Sequence, residues 1–385
     1  MRRILIAILA GTIFAAPACA PNSPASAAGQ WQSLTGEARD ATAADSLVAR
    51  LLAEQHLLAI AVAVVQDSGI VYSRVAGEVA RGVTADTRSV FRAASLGKPV
   101  FAYLALRLAD AGLIALDSPV VRYLPRPLAS WEHYAALAAD PRHRALTARR
   151  ILSQQSGLPN WNRQGPVPLL AEPGTVFWYS GEGYMLLQLV LEELTGRTVN
   201  DLAREQVFEP LGMTNTSYLW ERRFDGRFSI DTLLAQHPIL QQSRDRAEVA
   251  GSLLTNAADY ARFLLAVLEG RGLSETSRAL LLAPQATITS RSLFSMPGTD
   301  SGAARALGLG WTVGWGRMET SWGPALFHVG REEGCENYAV AFPDRGTAFV
   351  VLSTTPVGHQ GTFTAALVDA LVGDGSQPLD WLEYR

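Results

Sequence analysis

Two apolar, β-branched runs, residues 58–65 and 70–75, stand side by side, and no run of the same kind follows until residue 309. Between them Gln66-Asp67-Ser68-Gly69 is turn chemistry, so the pair reads as a strand, a hairpin turn and a second strand. Two strands alone do not make a stable sheet in water. Their partners must come from the far end of the chain, where residues 309–318, 325–329, 338–342 and 348–352 are short strand-like runs punctuated by Gly and Pro. The stretch from about 100 to 283 is helical in pattern, with Gly112 and Gly196 as stops and Asn256 or Asp259 as a start. Residues 38–55 and 362–372 read as helices near the two ends. The fold class that satisfies all of this is α+β. One mostly antiparallel sheet is flanked by terminal helices and interrupted by a large helical insert. A site is expected where the two parts meet, because clefts form at such seams.

Composition narrows the function. The chain has 385 residues, 48% of them apolar, and a formal net charge of −3. It has ample material for a core and no basic footprint, so nucleic acid is not an expected partner. Arg2 and Arg3 precede an apolar run over residues 4–16, which reads as an export signal too short to span a bilayer. Two endings are open. Ala16-Pro17-Ala18-Cys19 resembles a bacterial lipobox, after which Cys19 is lipidated and anchors the protein to a membrane. Ala25-Ser26-Ala27 offers ordinary cleavage instead. Residues 1–28 are thus signal and tether, and the protein is expected to be exported, periplasmic or membrane-anchored. With Cys19 modified, Cys335 has no disulfide partner.

Lys98 is the only lysine, in a chain whose other basic residues are all arginine. Arginine does not lose its proton in proteins, whereas a buried lysine does. Lys98 closes Ser95-Leu96-Gly97-Lys98 and is followed by Pro99, which is tolerated only in a helix's first turn. The helix that continues through Val100, Tyr103, Leu104 and Leu108 therefore starts close to Ser95. Residues i and i+3 share a face there, so the serine hydroxyl and the lysine amine are expected to be neighbours. Burial and the helix N-terminus both depress a lysine pKa. The pair is then a nucleophile with its own base. No H-E-x-x-H, G-x-S-x-G or phosphate-binding loop occurs, and the other histidines are scattered, so neither a metal nor a cofactor is expected.

Residues 87–125, which contain this motif, resemble the serine β-lactamase-like family: class C β-lactamases, low-molecular-weight penicillin-binding proteins and related esterases and amide hydrolases. Further blocks agree in order: ILSQQSGLP at 151–159, PGTVFWYSGEGYMLLQLVLEELTG at 173–196, FEPLGMTNTSY at 208–218, AGSLLTNAADYARF at 250–263 and FHVG at 327–330, followed by a strand pair. The resemblance spans about residues 60–372. It implies a β-lactamase/transpeptidase-like fold over 31–375, with the sheet part at about 31–95 and 305–375 and the insert at about 96–304.

The resemblance implies roles residue by residue. Ser95 is the nucleophile and Lys98 its base. Tyr179 matches the catalytic tyrosine, whose phenolate relays protons. Gly181 stands where the family usually carries an Asn that touches the substrate's amide carbonyl, which counts against β-lactam or peptide-like substrates. Glu182 reads either as an acid that supports the site from behind or as a carboxylate in a helix first turn, the second being preferred. His328-Val329-Gly330 takes the place of Lys-Thr-Gly. There His328 helps set the charge of the site, and Gly330 lets substrate approach the strand. The N–H groups of Ser95 and Arg331 form the oxyanion hole. The expected activity is hydrolysis of an ester, amide or β-lactam bond in a small molecule or peptide through an acyl-enzyme on Ser95. The alternative is a non-catalytic penicillin-recognising sensor or envelope binding protein on the same fold.

Overall fold

A computed structural model describes residues 29–231, 245–299, 302–359 and 363–384. Residues 1–28, read above as signal and tether with Cys19, and Thr362 lie outside these described residues. A small hairpin of β1 (Gln30–Gln32) and β2 (Ala38–Asp40) leads into helix α1 (Ala41–Glu54), which Asp40 caps by accepting from the Thr42 and Ala43 N–H groups. Strands β3 (Ala59–Gln66) and β4 (Gly69–Ala80) follow as the expected hairpin. Its two-residue loop places Asp67 and Ser68 at φ 49° and 67°, the left-handed pair that matches strand twist.

The sheet closes with strands from the far end of the chain. Its order is β5-β4-β3-β13-β12-β11-β10-β9-β8. Here β5 is Val83–Thr84, β8 Ala286–Thr287, β9 Gly310–Trp311, β10 Gly316–Thr320, β11 Gly323–Glu332, β12 Cys335–Phe342 and β13 Thr347–Thr354. Strand β3 pairs with β13 over its whole length, Ala59 against Thr354 through Gln66 against Thr347. One edge strand, β8, belongs to the stretch assigned from the sequence to the helical insert.

Both faces of the sheet are covered, which is why β3 reads as a continuous apolar run rather than an alternation. On one face Ile60, Val62 and Val64 pack with Val48 and Leu51 of α1 and with Phe363, Leu367 and Val368. On the other, Ala59, Ala61, Ala63 and Val65 meet the insert. The insert includes helix α2 (Gly97–Asp110), helix α3 (Gly181–Thr195) and helix α4 (Ala257–Glu269); helix α5 (Phe363–Leu371) closes the first face. Of the two starts open in the sequence, α4 uses Asn256, whose side chain accepts the Asp259 N–H. The short side chains of β3 let α4 lie close across β3 and β13. A separate pair, β6 (Phe91–Ala94) with β7 (Leu253–Thr255), carries the chain from sheet to insert and ends one residue before Ser95. Packing continues past residue 375: Leu379, Trp381, Leu382 and Tyr384 are buried.

Candidate active site

Helix α2 begins at Gly97, so Ser95 sits just before its first turn, with Pro99 inside that turn. The Lys98 N–H donates to the Ser95 C=O at 3.0 Å, and the Lys98 Nζ lies 2.9 Å from the Ser95 Oγ. The pairing expected from i, i+3 spacing is present. Ala94, immediately before Ser95, holds φ 49°, a conformation an alanine adopts only under constraint. Three buried tyrosines tie the region down. The Tyr218 and Tyr260 hydroxyls donate to the Gly97 and Leu96 carbonyls at 2.6 and 3.0 Å, and Tyr184 donates to Leu152 at 3.0 Å.

Lys98 is fully buried, and that burial pushes its pKa down from the ordinary lysine value to about 7. Its ammonium also donates to the Ala250 carbonyl at 2.6 Å and lies 4.9 Å from the centroid of the Tyr179 ring. The Ser95 hydroxyl itself reaches the same carbonyl at 3.3 Å. Once neutral, the amine can accept the serine proton along the contact already made.

Tyr179 is buried at the same place. Burial raises its pKa, and the nearby Ser95 hydroxyl offsets this only in part. The phenol is therefore protonated at rest, which makes it a proton donor before it is a base; the expected phenolate is not the resting form. The Tyr179 Oη has no geometrically formed hydrogen bond among the described residues. Gln154, with φ 59°, brackets this tyrosine: its C=O accepts the Trp178 N–H at 2.8 Å and its Oε1 the Ser180 N–H at 2.7 Å.

His328 lies beside them, 6.1 Å from Tyr179 and 5.4 Å from Trp311 between ring centroids. Burial, with Lys98 adding to it, pushes its pKa down to about 3. The Nδ1–H donates to the Val329 C=O at 2.7 Å. His328 is thus a neutral, packed imidazole, and the expectation that it sets the charge of the site is corrected.

The reading of Gly330 also changes. A side chain there would overlap the Ala93 carbonyl of β6. The glycine is required because β6 crosses β11 at this point, which is what delivers Ser95 to the sheet. Gly181 has an equally local reason. It opens α3, and a Cβ on it would lie 2.7 Å from the Asn160 carbonyl and 3.1 Å from the Trp161 indole. Its N–H donates to both oxygens of Asn160, at 2.9 Å to the main chain and 3.1 Å to Oδ1. The loop bearing Asn160 and Trp161 thus packs directly against the start of α3. Glu182 does sit in the helix first turn, and its buried carboxylate also holds that loop, accepting from the Asn162 N–H at 2.8 Å and pairing with His133 at 2.9 Å.

Two main-chain donors remain. The Ser95 N–H makes no backbone hydrogen bond among the described residues. Strand β10 pairs with β11 only as far as Gly316 opposite Phe327, so beyond Phe327 that side of β11, with Arg331, is not paired by β10. Across the floor, the Arg92 guanidinium is paired with the Glu332 carboxylate. Ala94, Gln154 and Ala250 carry no signature in the sequence, since their roles come from backbone conformation and from carbonyl placement. Among the described residues there is no cluster of three or more His, Cys, Asp or Glu that could hold a metal, and no helix is long and apolar enough to cross a membrane.

An antiparallel sheet with a helical insert, and a serine touching a buried lysine at their seam, define a serine hydrolase of the sandwich type. Comparison agrees: a family profile described as Beta-lactamase matches residues 44–375. The chain belongs to this family and is a serine hydrolase. Penicillin-binding protein 4 of Amycolatopsis lactamdurans is 27% identical over 348 residues, 84% of this chain and 87% of that protein. Esterase EstB of Burkholderia gladioli is 29% identical over 230 residues, 48% of this chain and 56% of that one. Among solved structures, EstCE1, a hydrolase with promiscuous acyltransferase activity, superposes with a TM-score of 0.69 at 18% identity, covering 86% of this chain and 98% of its own.

Proposed function

We propose that this protein is an exported hydrolase that cleaves short esters through an acyl-enzyme on Ser95. The observation that carries the reading is the 2.9 Å contact between the Ser95 Oγ and a fully buried Lys98 amine. The neutral amine takes the serine proton as Oγ attacks the substrate carbonyl. The oxyanion that forms accepts from the N–H groups of Ser95 and Arg331, and stabilisation of this kind is usually the largest electrostatic contribution. The protonated lysine and the Tyr179 hydroxyl return a proton to the leaving oxygen. Water then attacks the acyl-enzyme with Lys98 again as base, releasing acid and free serine.

Esters are favoured over β-lactams and peptides for a structural reason. Gly181 has no side chain with which to contact a substrate amide as the family's Asn does, and Asn160 and Trp161 crowd its Cβ position. Such a bond is worth roughly 0.5–1.5 kcal/mol, about two- to tenfold in affinity. The relative named an esterase supports the same direction. The absence of a lysine at His328 favours the second reading, a penicillin-recognising sensor or envelope binding protein without turnover.

One experiment separates the readings: intact-mass spectrometry and absorbance after exposure to p-nitrophenyl acetate, a cephalosporin and a fluorophosphonate. Turnover of the ester exceeding that of the cephalosporin, with a fluorophosphonate adduct lost in Ser95→Ala at an unchanged melting temperature, is expected. A stable cephalosporin adduct without ester turnover establishes the binding protein instead, and labelling that persists in Ser95→Ala removes Ser95 as nucleophile.

A further inference from the structure

The direction of the Arg331 N–H is set by groups outside the motifs. Gly330 and Asn337 are register partners on β11 and β12. The Asn337 side chain, fully buried, donates from Nδ2 to the Gly330 C=O at 2.8 Å and to the Arg92 C=O of β6 at 3.0 Å, while its Oδ1 accepts the Ser353 N–H at 2.9 Å. Both of its donor hydrogens and one acceptor site are thus committed to main chain. The Gly330 carbonyl belongs to the same peptide unit as the Arg331 N–H. A peptide unit is planar and trans, so its C=O and N–H point in opposite directions. Holding the Gly330 oxygen toward β12 turns the Arg331 N–H outward, to the side of β11 that β10 leaves unpaired.

A second hold comes from residues 376–384, which lie past the end of the family match at 375. Trp381 anchors the stretch: its Nε1–H donates to the Ser290 C=O at 2.9 Å and its own C=O accepts the Leu293 N–H at 3.2 Å. From there the chain reaches β11 and β12. The Tyr384 hydroxyl donates to the Asn337 C=O at 3.0 Å. The Arg331 guanidinium donates to the Glu383 C=O at 2.6 Å and lies 5.6 Å from the centroid of the Tyr384 ring. Main-chain and side-chain atoms of the residue that carries the oxyanion donor are therefore held from both sides.

We propose that Asn337 and Tyr384 are positioning residues that fix the Gly330–Arg331 peptide, so that residues 376–384 complete the oxyanion hole. The inference rests on the reading of Ser95 as nucleophile and of the Arg331 N–H as a donor. Neither residue touches substrate; each acts through that peptide.

The test compares wild type, Tyr384→Phe and Asn337→Ala, each assayed well below its melting temperature with p-nitrophenyl acetate and with phenylboronic acid as a tetrahedral mimic. Loss of a complete oxyanion donor costs about a hundred- to a thousandfold in kcat. Loosening one is expected to cost about five- to tenfold in Tyr384→Phe and up to about a hundredfold in Asn337→Ala. KM should stay within about twofold, because the ground-state carbonyl depends less on these donors. The boronate inhibition constant should rise by the same factor as kcat falls. Should Asn337→Ala fail to fold, Tyr384→Phe decides, since it keeps the ring and loses only one hydroxyl. A folded Tyr384→Phe with wild-type kcat and boronate affinity, or with a change in melting temperature or KM alone, overturns the inference and leaves the hydrolase reading intact. A wild type that neither turns over the ester nor binds the boronate overturns both.

Discussion

Lys98 shows what the base proposed for Ser95 costs the fold. Unperturbed, a lysine titrates near 10.4; here burial brings it to about 7. The activity profile follows directly, because only the neutral amine can take the Ser95 proton. Ester kcat/KM is expected to rise about tenfold per pH unit below about 7 and to level off above it, measured between pH 5 and 9. His328, held neutral by burial with a pKa of about 3, adds no inflection in that range. Stability also rises with pH, but in a higher window. Between about 7 and 10.4 the unfolded chain binds a proton that the folded chain has released, so this group makes stability rise with pH across that window. Below about 7 both states are protonated and the folded one holds a buried charge at full cost. Lys98→Met is therefore expected to abolish turnover yet raise the melting temperature by a few degrees at pH 6. The gain over wild type should shrink by pH 9. Thermal scans at the two pH values check this, and a melting temperature below wild type at pH 6 contradicts it.

Strand β6 is the element on which the site depends. It crosses β11 where Gly330 leaves room for the Ala93 carbonyl, is tied to β12 through Asn337, and ends at Ala94 beside Ser95. Gly330→Ala puts a methyl group into that carbonyl, and β6 has to move. The expected result is a stability loss of about 2–4 kcal/mol and at least a hundredfold loss of ester turnover, read by denaturant titration and absorbance. Turnover near wild type would mean the crossing is not what seats Ser95. How much of this was legible in the sequence depends on range. The Ser95–Lys98 contact and the start of α2 follow from i, i+3 spacing and from Pro99, which are local. The fit of Gly330 against Ala93 and of Gly181 against Asn160 and Trp161 is not local, and a glycine alone does not say what approaches it. The left-handed backbone at Ala94 and Gln154 is invisible for another reason: neither residue type favours it, and only the surrounding packing imposes it.

At the scale of the molecule, closure of the sheet by its two ends was readable because a two-stranded hairpin cannot stand alone; the edge strand β8 was not, being two residues long. The export reading belongs at this scale too, and residues 1–28 test it. If Cys19 carries lipid, Cys19→Ser moves the protein from the membrane fraction to the soluble one, seen by fractionation and immunoblot; equal distributions reject lipidation. The pairing of β3 with β13 has a consequence in time. A ribosome adds about 5–20 residues per second, so the β13 side of β3 waits on the order of 15–60 s after its own synthesis for its neighbour to be made. For that interval an apolar hairpin offers an open hydrogen-bonding edge, the template on which other nascent chains aggregate. The helical insert, rich in contacts between near neighbours, can form while the hairpin waits. The order of synthesis thus leaves the strands around Arg331 to join Ser95 last.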